Sequence, residues 1–287
     1  MKRIVLIALL ALLLVGCGKH EAKITGGDEV IWKSKKVTYT KEQLNEDLKI
    51  KDYTSVILTE ILDEVALKEN INIEEIKTEI EKQVQELYDQ GYESYILSYY
   101  GSKESYIEQS VSSKIIEKLM ENEANENYDK YKEEQKAYKA EVAYFDTKDA
   151  AQKVIDSVNN DSNTFAYAAS ENGYTGTIEE TVYVEESDLP VEVKEAIAKV
   201  EKGLTSIVET STTATSAEGE STVTPRYYVV NVISKNSDDF KEDFVTYLKS
   251  NVLTTEQIIN KCVEKYNITV HDQNTYKLLK DTYEAFK

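Results

Sequence analysis

Two separated stretches of this chain repeat their apolar residues at spacings of three and four, and the stretch between them does not, which excludes both a uniform bundle and a uniform sheet. Ile73, Ile76, Ile80, Val84 and Leu87 share one helical face, as do Ile107, Val111, Ile115 and Leu119. Before them, Val56, Ile57, Ile61, Leu62 and Val65 mark another helix. Ile31 to Tyr39 reads as a short strand, and Thr40-Lys41-Glu42-Gln43 as a capping box opening a helix with Leu44 and Leu48. Past Lys235 the helical period returns through Phe240, Phe244 and Leu248, then Ile258, Ile259, Cys262 and Tyr266, then Tyr276, Leu279, Tyr283 and Phe286.

Between these stretches the pattern is mixed. Ala140 to Phe145 predicts a strand, and Ala150 to Val158, Phe165 to Glu171 and Val191 to Val200 predict helices. Gly203 to Val208 and Arg226 to Ile233 predict closing strands, separated by the Ser/Thr-rich stretch Glu209 to Thr224, which reads as a mobile hairpin loop. Glu121 to Lys139, rich in charge and tyrosine without apolar periodicity, reads as a solvated helix or hinge. The expected fold class is therefore α+β: a helical domain built from residues 30–138 and 235–287, with a small α/β domain inserted at 139–234.

The first sixteen residues are expected to be a signal peptide. Lys2 and Arg3 precede an apolar run, Ile4 to Val15, that is too short to span a bilayer. Leu14-Val15-Gly16-Cys17 looks like the lipobox of bacterial lipoproteins, which implies cleavage before Cys17 and acylation of its thiol. Residues 17–29, ending in small polar positions with Gly26 and Gly27, read as a flexible tether. The expected location is extracytoplasmic, lipid-anchored to the bacterial cell membrane.

Charge and rare residues narrow the chemistry. The chain carries a formal charge of -19, and loss of Lys2 and Arg3 with the leader takes it to -21, which argues against nucleic acid as a partner. After Cys17 there remains Cys262, set in an apolar-periodic run and expected in the core, so no internal disulfide is available. His20 and His271 lie far apart and outside metal-ligand spacing, so no metal site and no cofactor is expected.

Several runs, taken in order, resemble those of PrsA-like foldase lipoproteins and, more distantly, the SurA-like periplasmic chaperone. They are Ile61-Leu62-Asp63-Glu64-Val65-Ala66-Leu67-Lys68-Glu69-Asn70 followed by Ile73-Glu74-Glu75-Ile76, then Tyr100-Gly101-Ser102-Lys103-Glu104, and finally Lys265-Tyr266-Asn267-Ile268-Thr269-Val270, which is similar to the family's closing strand. The middle segment resembles a parvulin-type peptidyl-prolyl isomerase. Val142-Ala143-Tyr144-Phe145 stands where parvulins read His-Ile-Leu-Val, Phe165-Ala166-Tyr167-Ala168-Ala169 matches Phe-x-x-Leu-Ala, and Lys202-Gly203 matches a Thr-Gly or Lys-Gly turn. Arg226-Tyr227-Tyr228-Val229-Val230 stands for Gly-Tyr-His-Ile-Ile, so Val142 and Tyr228 replace the two usual histidines. The glycine-rich segment before the pocket is reduced to Gly173 and Gly176.

The resemblance implies that Leu189 and Val193 receive the proline ring. It also implies unfolded or newly exported polypeptides as partners, with the helical domain a candidate homodimer surface. Rotating an X-Pro bond crosses a barrier of roughly 18–20 kcal/mol without breaking a covalent bond, so a nucleophile is not required. Tyr228 could donate a hydrogen bond, but the network normally organised by two histidines is gone. A holding role needs only adaptable apolar surface, and the 21 tyrosines, with Tyr92, Tyr95, Tyr99 and Tyr100 crowded together, offer rings with polar tips. A working isomerase with an altered pocket and an adhesion or single-partner lipoprotein are the alternatives.

Overall fold

The computed structural model describes residues 28, 30–33, 38–40, 57–161, 163–215, 221–271 and 273–286. The leader, Cys17, His20 and the helix expected around Leu44 and Leu48 lie outside the described residues. The chain divides into two compact units, one of Leu62–Tyr266 and one drawn from Met1–Ile61 and Asn267–Lys287. The architecture is α+β, as expected.

In the smaller unit, β1 (Val30–Lys33) pairs antiparallel with β2 (Thr38–Thr40). The single strand expected over Ile31 to Tyr39 is thus a pair. A helix over Gln273–Thr282 follows near the far end, with Leu279 and Phe286 buried and Tyr283 edge-on to Phe286 at 6.2 Å.

In the larger unit the helices follow the apolar period. Helix α1, described from 57 to 68 and belonging to this unit from Leu62 onward, buries Leu62, Val65 and Ala66. Asn72 caps α2 (Ile73–Asp89) by accepting from the Glu75 amide at 3.2 Å, and Ile76, Ile80 and Val84 form its inner row. Helix α3 (Glu93–Tyr100) stops at Gly101, whose φ of +77° an L side chain rarely adopts. Ser102 then caps α4 (Lys103–Glu126) through the Ser105 amide at 3.0 Å. Helix α4 is the central rod: α2 lies against it, and so do two later helices, α9 (Lys241–Asn251) and α10 (Thr255–Tyr266).

The region expected to be a solvated hinge is better packed than its composition suggests. It contains the end of α4 and α5 (Tyr128–Gln135), and both Tyr128 and Tyr131 are buried. Their spacing of three puts the rings on one face. Tyr128 meets the fully buried Phe244 edge-on at 5.8 Å, and the Tyr131 hydroxyl donates to Glu123 at 3.0 Å. Tyrosine supplies here the apolar area that a periodicity count over Leu, Ile and Val misses.

Lys136, at φ +46°, ends α5 and turns the chain into β3 (Tyr138–Phe145). Then come α6 (Lys148–Asp161), α7 (Phe165–Glu171), β4 (Thr181–Tyr183), α8 (Val191–Ala198), β5 (Gly203–Leu204), β6 (Val208–Thr215) and β7 (Ser221–Ser234). The sheet runs β4-β3-β7-β5, with β6 also paired to β7. One face packs Ala143, Phe145 and Val229 under α6 and α7; the other packs Ala140, Val230 and Val232 under α8. The stretch expected to be a mobile loop is instead mostly a β-ribbon, paired from Val208↔Tyr228 to Thr215↔Ser221. β-Branched threonine fits a pleated surface, which explains the difference.

The run expected to form a closing strand at Lys265 to Val270 also differs. Helix α10 continues through Tyr266, Asn267 takes a left-handed φ of +51°, and 268–270 join no strand. The helix is held to its last turn by Glu69, which accepts from Lys265 Nζ and the Tyr266 hydroxyl, each at 2.6 Å. Cys262 is buried on α10, and burial pushes its thiol up to about 11, consistent with an inert core residue.

Two outcomes follow. Phe244→Ala should cost about 3–5 kcal/mol in urea unfolding, because it empties a fully buried site that carries the Tyr128 contact. Burial alone would raise the Glu69 carboxyl, but the hydrogen bonds from Lys265 and Tyr266 outweigh it and hold the group below its ordinary value of 4.5. A depressed folded value means stability that is present above 4.5 and lost as pH falls through the folded value. Urea midpoints should therefore decline below that pH, and Glu69→Gln should be less stable at neutral pH with a shallower acid decline.

Candidate functional site

Antiparallel pairing of β3 and β7 sets Val142 opposite Val230 and Tyr144 opposite Tyr228. Because alternate residues of a strand share a face, Val142, Tyr144, Tyr228 and Val230 point the same way. That face is the one covered by α8. A short turn delivers the helix: the Val184 amide donates to Ser187 Oγ at 2.8 Å, the Leu189 amide to the Ser187 carbonyl at 2.8 Å, and Pro190 caps α8. All four residues singled out from the sequence, Val142, Leu189, Val193 and Tyr228, therefore gather around one apolar cluster.

Their exposures differ, and this determines what each can touch. Val193 is fully buried against the sheet, so it offers no surface to a ligand in this structure. Leu189, Val142 and Tyr228 are half-buried at the cluster's margin. The surface that remains open belongs to aromatic rings. Tyr144, 41% exposed, tilts against Tyr228 at 5.5 Å and meets Tyr174 edge-on at 5.9 Å. The Arg226 guanidinium sits 4.7 Å from the Tyr144 ring centre and forms an ion pair with Asp146. Beside these rings lies an open groove of about 560 Å³, bounded by Tyr144, Asp146, Thr147, Asn172, Tyr174 and Arg226.

The donor next to the apolar cluster is a neutral one. Burial raises the Tyr228 hydroxyl above its ordinary value of 10.0, the neighbouring Tyr144 and Asp188 push the same way, and Arg226 opposes them. At neutral pH Tyr228 is therefore a proton-bearing donor rather than a base. The arrangement can stack an apolar ring, donate a hydrogen bond to a carbonyl and orient a chain. It presents no activated nucleophile.

Sequence reasoning passed over Tyr144, Tyr174, Arg226 and Asp146. Tyr144 carried a signal, since it shares the strand parity of Val142. Tyr174 and Asp146 carried none, because they reach the groove from turns that follow α7 and β3.

No protein-family model matches the chain. It is 25% identical over 210 residues to the foldase protein PrsA of Streptococcus mutans, an overlap of 67% of this chain and 60% of that protein. The chain thus spans about three fifths of that relative's length. Among solved structures, the foldase protein PrsA of Streptococcus pneumoniae superposes with a TM-score of 0.43 at 21% identity, over 88% of this chain and 100% of the other. The peptidylprolyl isomerase PrsA of Bacillus cereus does so with a TM-score of 0.44 at 17% identity, over 90% of this chain and 99% of the other. The chain is PrsA-like in sequence.

A contrast between two substitutions checks which residues build the face and which rim it. Val193→Ala should cost about 2 kcal/mol of stability, since it removes apolar atoms from a fully buried site. Arg226→Ala should cost about 1 kcal/mol or less, because its ring contact and its ion pair are both partly solvated. Chemical unfolding of both variants against the parent chain makes the comparison.

Proposed function

We propose that this chain is a membrane-anchored, extracytoplasmic folding factor that holds non-native exported polypeptides, with an isomerase-like domain at 139–234 whose catalysis is weak or lost. The observation that carries the holding role is the exposed surface of α3 and its N-cap residue. Tyr92, Tyr95 and Tyr99 are 51%, 55% and 73% exposed, Leu97 is 43% exposed, and Ile96 alone on that helix is buried. Tyr95 and Tyr99 lie 4.5 Å apart. Clustered exposed rings on a short helix suit weak, sequence-tolerant contacts with unfolded chains.

Weak catalysis is supported by the face itself. The Val142 side chain has no donor or acceptor, Tyr228 is a neutral donor, and Val193 has no free surface. The similarity to a foldase supports the client class, namely unfolded or newly exported polypeptides. Anchorage through Cys17 completes the reading, with residues 1–16 as leader, 17–29 as tether and the helical segments 30–138 and 235–287 as the holding domain and the homodimer surface.

A second reading is favoured by the ring trio at the groove. Tyr144, Tyr174 and Tyr228 could stack a proline ring while the Tyr228 hydroxyl steadies the twisted amide, giving an isomerase with an altered pocket.

Refolding of a proline-limited substrate, run beside a proline-independent aggregation assay, separates the two. The holding role gives suppressed aggregation without acceleration, and Tyr95→Ser with Tyr99→Ser should reduce that suppression severalfold. Acceleration that falls on Tyr144→Ala and Tyr228→Ala would establish the isomerase instead. Inactivity in both assays would overturn both readings. Mass spectrometry of the cell-derived chain should find diacylglycerol on Cys17.

A further inference from the structure

Among the described residues, no strand pairs with the outer edge of β6. On β7, Val230 turns its carbonyl and amide toward Thr205, accepting from the Thr205 amide at 2.8 Å and donating to Thr205 Oγ1 at 3.1 Å. Even-numbered residues of β7 therefore face the β5 and β6 side, and odd-numbered ones face β3. The register from Val208↔Tyr228 to Thr215↔Ser221 runs without a bulge, so the assignment holds along that whole length. On β6, the even-numbered residues bond to β7, and the backbone groups of Glu209, Ser211, Thr213 and Thr215 point outward.

The two edges of this ribbon are treated differently. β3 ends at Phe145↔Tyr227, and the next odd residue of β7 is Pro225, which has no amide hydrogen to offer. That edge is blunted. The β6 edge has no proline and no bulge, and Val208 at its base packs in the cluster under α8. Glu209, Ser211 and Thr213 are exposed. A long, straight, open edge is a liability that folds usually suppress, so its retention beside a blunted one points to use.

We propose that the outer edge of β6 captures an extended segment of a non-native polypeptide as an added strand. The inference rests on the holding role proposed above and names how part of the client is bound. Backbone hydrogen bonds supply the attraction, which makes the capture tolerant of sequence. Charge sets the remaining preference. From Thr210 to Thr215 the strand is uncharged, Glu209 stands at its base, and the whole chain carries -19, so the segment is β-prone and without net negative charge.

The probe is a short soluble peptide of alternating valine and threonine with a lysine at each end, mixed with the full-length chain. Hydrogen exchange on the unmodified chain should slow at the amides of Glu209, Ser211 and Thr213, with little change at Thr210 and Thr212. Ser211→Pro with Thr213→Pro removes two outward donors and leaves the ladder to β7, and should weaken peptide binding on the order of tenfold. Thr212→Val should bind as the parent does. Protection elsewhere, or binding indifferent to the two prolines, overturns the proposal while leaving the holding role intact if aggregation is still suppressed. Light scattering that finds the chain self-paired through this edge also overturns it. Absence of any aggregation suppression by the parent chain removes the holding role and this proposal together.

Discussion

The pairing of β3 with β7 is the constraint on which the rest of the inserted domain depends. Residue parity along these two strands decides that Ala143, Phe145 and Val229 meet α6 and α7, and that Ala140, Val142, Val230 and Val232 meet α8. A slip of one residue would exchange the two sets and bury Glu141 and Asn231, which now hydrogen-bond to each other at 2.8 Å. The same register brings Val142, Leu189, Val193 and Tyr228 together, and it sets Tyr144 over the groove. Strand β7 then runs past the end of β3 and becomes half of the ribbon. One strand thus serves as floor of the ring cluster and as root of the open edge.

Charge pairs tie the sheet to the helical rods inside the larger unit. Lys139, only 17% exposed, reaches Glu180 at 2.7 Å and Asp243 at 2.8 Å, and so links the start of β3 to the approach to β4 and to α9. Asp243, with Glu180 beside it, raises the Lys139 ammonium above its ordinary value. Lys132 pairs with Asp238, between α5 and the turn preceding α9. Such pairs add little individually when solvated. Their contribution here is orientation, because each spans elements far apart in sequence.

Tyrosine does work in this chain that its composition only hints at. Tyr128 and Tyr131 are core residues, Tyr138 stacks on Tyr183 at 5.7 Å across the sheet, and Tyr92, Tyr95 and Tyr99 stand in solvent. The ring's apolar body and polar tip permit all of these environments. A sequence count cannot assign them, since burial depends on which partner arrives.

The sequence by itself determined the helices, because spacings of three and four in Ile76, Ile80 and Val84, or Val111, Ile115 and Leu119, commit a face to burial whatever packs on it. It also determined the core strands Ala140 to Phe145 and Arg226 to Ile233, while the candidate positions Val142, Leu189, Val193 and Tyr228 came from the family resemblance. Tertiary structure alone decided that Val193 is sealed while Tyr144 is open, that Tyr174, Asp146 and Arg226 converge on one groove, and that 209–215 pair with 221–227. The physical reason is range. A helical face is set by neighbours within one or two turns, whereas exposure, ring contacts and strand edges are set by residues dozens of positions away, whose arrival leaves no local mark.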